Sequence, residues 1–199
     1  MTTGIPQQIT GSETNIEHSI TLPGPMEAII KYEQVCRSLL DVNKWKEICG
    51  TGSAEFQLLD ENGEEVDRPA QLNDYFKIDI PGPGTGSGDG YDWVNVEKMD
   101  STKDSNNDEQ RFLMQVRPCS NPHSKTRDTA HFLSHKATST FSIVRKNNTI
   151  TASVFGRNEI PNTKTHNVLD KIRNTIVGAG AVAGASKIQW TLLVKGLLK

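Results

Sequence analysis

Cys119, His123, His131 and His135 carry the side chains in this sequence best suited to hold a metal. Thiolate and imidazole are the ligands of tetrahedral zinc, and Cys-x3-His followed by His-x3-His could close such a site. The spacing argues against it, because structural sites pair their cysteines across two-residue gaps. Phe132 and Leu133, beside His131, read instead as chain entering a core. The histidines are therefore expected to be polar loop residues, with no metal and no cofactor bound.

A second candidate is the stretch at 75–99, whose middle has glycine at 82, 84, 86, 88 and 90. A dinucleotide loop needs glycines at relative positions one, three and six before a helix, and a nucleotide-triphosphate loop ends in Gly-Lys-Ser/Thr. Here the sixth place falls on Ser87, Asp89 or Tyr91, and no Lys or Arg occurs between Ile78 and Val96. Asp79, Asp89 and Asp92 would repel a phosphate. They are read as solvated hairpin charges rather than an acid-base pair. Cys36 falls on an apolar helix stripe, Cys49 ends that region, and Ser134 has no carboxylate to orient a base, so no catalytic residue is nominated.

The composition narrows the function further. The chain has 199 residues, 35% of them apolar, with mean hydropathy -0.51 and formal net charge -2. That suits one domain with a modest core and gives no general affinity for nucleic acid or an anionic membrane. Charge is uneven: residues 55–109 hold 15 acidic and 4 basic residues, whereas 164–199 hold 6 basic residues and only Asp170. A homodimer is one form of association this asymmetry allows. Three cysteines make no disulfide framework and favour a reducing compartment. The first residues lack a basic start followed by an apolar run, and the small-residue run at 176–185 is half the length of a membrane span. A soluble cytoplasmic protein without stable membrane insertion is expected.

The elements that would position these groups follow from periodicity. Residues 1–15 are polar and expected to form a flexible head, with a single domain over 16–199. Alternation predicts a strand at 16–22. Residues 27–45 read as helix, with a break near Ser38 or Val42; Ile29, Glu33, Cys36 and Leu40 lie near one line, widened by Ile30, Leu39 and Asn43. Further strands are predicted at 54–59, 75–80, 91–98, 111–117, 137–145 and 149–157. Residues 99–110 read as a polar connection and 118–136 as an irregular insertion. From 165 to the end the period becomes helical, with a glycine-rich stretch at 178–184 that could break the rod.

Strand, helical segment, six strands and terminal helix is the element order of the helix-grip fold, and over 16–198 the chain resembles the START-like superfamily, which includes polyketide cyclases and plant pathogenesis-related proteins. The resemblance implies an α+β fold, a curved seven-stranded antiparallel sheet wrapped around a long C-terminal helix. It also implies binding or carriage of a small hydrophobic or amphipathic ligand in a cavity between them. Matching the family's cavity positions nominates Phe76, Ile78, Phe112, Met114, Phe141 and Ile143 from strands and Trp190, Leu193 and Val194 from the tail. Trp93 is a cavity wall in one strand register and outside in the other, and Arg157 is the candidate for recognising a headgroup. A cyclase or hydratase using Arg157, Asp92 and His131 in the same cavity is the enzymatic alternative. A structural protein with a filled core is the third reading.

Overall fold

The computed structural model describes residues 4–50, 53–80, 86–163 and 182–199. Its strands are β1 (Ser12–Thr21), β2 (Glu55–Leu59), β3 (Tyr75–Asp79), β4 (Asp92–Asp104), β5 (Glu109–Pro118), β6 (Thr138–Lys146) and β7 (Thr149–Glu159). They form one antiparallel sheet in the order β1-β7-β6-β5-β4-β3-β2. Between β1 and β2 lie α1 (Pro25–Leu40), a 3-10 turn (Val42–Lys44) and α2 (Trp45–Cys49). α3 (Val182–Leu197) ends the chain. The curved sheet wraps α3, with the short helices after the first strand, so the expected helix-grip fold is the observed one.

Period-two alternation divides the sheet into an inner and a convex face. Phe56, Leu58, Phe76, Ile78, Val94 and Val96 join the cluster that also holds Leu193 and Val194 of α3, so they point inward. Trp93, Leu59 and Tyr75 form a second cluster on the other side. Register carries the same faces across β5, β6 and β7, pairing Met114 with Phe141 and Phe141 with Val154.

The expected polar connection at 99–110 is instead the end of β4, a turn at 105–108 and the start of β5. β4 runs on to Asp104 and pairs as far as Glu109 of β5, after a bulge between Val96 and Lys98. The arm is exposed on both faces around Ser101 and Thr102, so no buried side imposed the apolar alternation that marks a strand. The helical segment breaks at Asp41, beside the predicted Val42. Its buried line is Ala28, Tyr32, Val35 and Leu39; of the expected set Leu39 is on it and Cys36 and Leu40 pack beside it, whereas Ile30 is exposed. One contact needs glycine: a Cβ at Gly196 of α3 would fall on the Ile48 carbonyl of α2, so the two helices meet at backbone distance.

β1 starts four residues before the predicted strand, and the chain ahead of it lies on the convex face. Gly4 sits against Leu113, and the Asn158 side chain accepts from the N–H groups of Ile9 (2.8 Å) and Thr10 (3.1 Å). Asn158 holds φ +56°, and its own N–H donates to the Gln8 amide oxygen at 2.9 Å. The insertion after β5 is also pinned: Trp93 N–H donates to Ala130 O at 2.7 Å and Asn162 N–H to Phe132 O at 2.7 Å. Of the predicted tail, 165–181 falls outside the described residues, including most of the glycine-rich stretch; Gly184 lies within α3.

Candidate functional site

The interior of the fold lies between the inner face and α3, and an aromatic cluster fills its middle. Trp45, the first residue of α2, has its ring centroid 5.1 Å from Phe56, 5.8 Å from Phe76 and 5.0 Å from Phe141. Its indole N–H donates to Leu39 O at 3.0 Å, so the one polar atom of a wholly buried ring is satisfied. The sequence reading treated Trp45 only as the end of a helix. The missed signal was the apolar set Trp45, Ile48 and Cys49 on a segment too short to show a helical stripe.

Eight of the eleven nominated residues belong to this interior and are buried or close to it: Phe76, Ile78, Met114, Phe141 and Ile143 from the sheet, with Leu193 and Val194 from α3. The eighth, Phe112, is half-buried against the same cluster near α1. Trp190 behaves differently from the rest. Its ring meets Phe141 at 5.3 Å, Phe56 at 6.3 Å and Trp45 at 6.4 Å, yet it keeps partial solvent access.

Two nominated residues face away. With Val94 and Val96 inward, Trp93 lies on the convex side, where its indole donates to Gly88 O at 3.1 Å. It is not a wall of the space under α3. Arg157 also falls on the convex side, opposite Thr138, with its guanidinium 5.5 Å from the Phe155 ring and donating to Thr14 O at 3.1 Å. Asp92 pairs with Ile78 and points inward, so Arg157 and Asp92 stand on opposite faces and cannot act together on one ligand.

Polar groups nevertheless mark one end of the interior. Asp92 is 1% exposed at the start of β4. Glu159, at the end of β7, folds its carboxylate over Gly156 and accepts from the Thr14 hydroxyl at 2.9 Å. Burial pushes the Glu159 carboxyl up from its ordinary value, against the Thr14 hydrogen bond and the charges of Lys187 and Arg157. Gln189 of α3 accepts from Ala54 N–H at 2.9 Å and donates to Cys49 Sγ at 3.2 Å, tying α3 to α2 and β2.

The remaining candidates resolve into structural roles. His123 donates to Gly63 O at 2.9 Å, and His131 Nδ1 accepts from Leu133 N–H at 2.9 Å while its ring stacks on Phe132. Among the described residues no three His, Cys, Asp or Glu side chains converge as metal ligands would. Burial raises Cys36 and Cys49 to about 11 and Cys119 to about 12, so these thiols stay protonated and poorly nucleophilic at neutral pH. No described helix is long and apolar enough to cross a membrane.

No protein-family model and no curated protein matches the chain. Solved structures resemble it in architecture. A STAR-related lipid transfer protein fragment from Xanthomonas axonopodis is 12% identical over 93% of this chain and 86% of that one, with TM-score 0.45. Truncated norcoclaurine synthase from Thalictrum flavum is 8% identical over 96% and 99%, with TM-score 0.33. Likeness at this level transfers neither ligand nor activity to this chain.

Proposed function

We propose that this is a START-like binding protein that carries a small, largely apolar molecule at the Trp190 end of the space under α3. The observation that carries the reading is Trp190 itself. A large ring in contact with three core rings ordinarily closes a core, whereas this one remains reachable from solvent and offers an apolar wall. Ile78 of β3 and Ile80, just past its end, continue that wall, and both pack on the core.

The groups at this end restrict the ligand. The Glu159 carboxyl, which feels Lys187 of α3, disfavours an anionic headgroup in a site of low polarity and favours a hydroxyl or amide that donates a hydrogen bond. A neutral amphipathic molecule fits better than a fatty acid. Arg157, on the convex side, has no part in reading the headgroup.

Native mass spectrometry after incubation with a neutral lipid extract tests the proposal. A retained species of defined mass is expected, and so is protection of tryptophan fluorescence from acrylamide. Trp45 and Trp93 are 0% and 3% exposed, so the quenchable signal comes from Trp190. No retained species, together with unchanged quenching, would remove the reading.

A further inference from the structure

A cleft lies on the convex face, away from α3. It measures ≈ 490 Å³ and has Leu59, Tyr91 and Trp93 on its floor. One wall is the turn from Gly63 to Glu65, and the other is the insertion at Asn121 and His123. Three separate parts of the chain meet there and are fastened to one another. His123 bonds Gly63 O at 2.9 Å, the Asn121 amide donates to Asp89 Oδ2 at 2.9 Å, and the Trp93 indole holds Gly88. A smaller cleft of ≈ 220 Å³ shares Glu65, Lys77 and Tyr91 and continues along β2 and β3 to Glu55 and Asp79. From Leu59 to Glu55 this trough runs about 13 Å at the rise of a strand.

Its charge is one-sided. Glu55, Glu64, Glu65, Asp79 and Asp89 line the two clefts, and Lys77 is the only Lys or Arg among their described lining residues. Glu55 is bridged by Lys46 and Glu65 by Lys77, which leaves the pull of Glu64, Asp79 and Asp89 in excess. Phosphates and carboxylates are repelled from such a surface, and cations are drawn to it.

The aromatic floor narrows the kind of cation. Lys77 Nζ sits 4.6 Å over the Tyr91 ring and 3.1 Å from Glu65 Oε1, so the trough already holds an ammonium between an aromatic face and a carboxylate. A bare metal ion gains little from the ring and finds no converging ligand set among the described residues, whereas an alkylammonium uses both ring and charge. We propose that this trough binds a small linear polyamine. One ammonium lies toward Glu64 and Asp89, the other toward Asp79, and the methylene chain crosses Tyr91.

Isothermal titration of the full chain with spermidine, and with putrescine for comparison, tests this at low ionic strength. One saturable site is expected, tighter for spermidine and weakened by added salt. Tyr91→Leu leaves the charge unchanged and is expected to weaken binding about threefold to tenfold. The exposed pair Glu64→Gln with Asp89→Asn is expected to weaken it at least as much, and circular dichroism checks that both variants fold. Lys77→Met, which removes the internal competitor, is expected to tighten binding. Unsaturable binding, or equal affinity for the parent and Tyr91→Leu, would reduce the trough to a diffuse acidic surface and overturn the proposal.

Discussion

Trp45 and Trp93 are buried almost equally on opposite sides of one sheet, by different means. Trp45 is enclosed by rings from β2, β3, β6 and α3, and its indole N–H donates to Leu39 O. Trp93 is covered by polypeptide that bonds to its own backbone: it donates to Ala130 O and accepts from Cys119 N–H at 3.0 Å. The inner side is held by close packing of apolar surface, and the convex side by loops that exchange hydrogen bonds with the sheet. Damage on the inner side should therefore spread through the whole fold, whereas damage on the convex side should stay local.

The sharpest test of that difference is truncation on the inner side. Trp45→Ala removes a ring that touches four others and is expected to cost about 3–5 kcal/mol in urea unfolding. Its convex counterpart, Trp93→Phe, keeps most of the area and loses the bond to Gly88, for about 1 kcal/mol. Comparable losses from the two would mean that the convex loops are as much a part of the core as the grip is.

An intermediate effect is expected where the N-terminal segment is fastened. Asn158→Ala removes the acceptor shared by Ile9 and Thr10 and forces a less tolerant residue to φ +56°. The expected cost is about 1–2 kcal/mol. The discriminating measurement is hydrogen exchange, which should accelerate at Ile9 and Thr10 while the amides of β5 and β6 keep their protection. Uniform acceleration would show that the N-terminal segment is coupled to the global fold.

The same division explains what could be read from the residues alone. Strands with one apolar side announced themselves: Phe76 with Ile78, and Phe141 with Ile143, alternate with polar residues and lie where the pattern puts them. The β4–β5 arm did not, because Ser101 to Lys103 meet solvent on both faces. Trp93 could not be placed from local pattern, since Val94, Val96 and Trp93 are all apolar; only pairing with β3 and the cover of Ala130 fix its side. Trp45 was missed because a five-residue helix carries too little periodicity to show which way it faces. The convex trough was hidden for another reason. Its walls come from residues some sixty positions apart in the chain, His123 and Gly63, joined by a single bond.

The smallest predicted effect, that of Glu159→Gln, is also the most specific to the inner side. Burial raises the Glu159 carboxyl above the ordinary 4.5, so the folded protein holds that proton more tightly than the unfolded chain does. Its stabilising contribution is complete below the unfolded value and is lost as pH rises through the folded one. Glu159→Gln can still accept from Thr14 and never ionises, so it should be more stable than the parent at pH 7, with the two converging below about pH 4. Asp108 on the β4–β5 arm runs the other way. The hydrogen bond from Arg145 lowers its carboxyl, and its contribution disappears as pH falls through that lowered value. Urea midpoints followed from pH 3 to 8 should show Glu159→Gln gaining on the parent as pH rises and Asp108→Asn losing ground. If Glu159→Gln were the less stable protein at pH 7, the attraction of Lys187 and Arg157 would outweigh burial, and the inner end of the grip would be electrostatically closed rather than poised for a neutral guest.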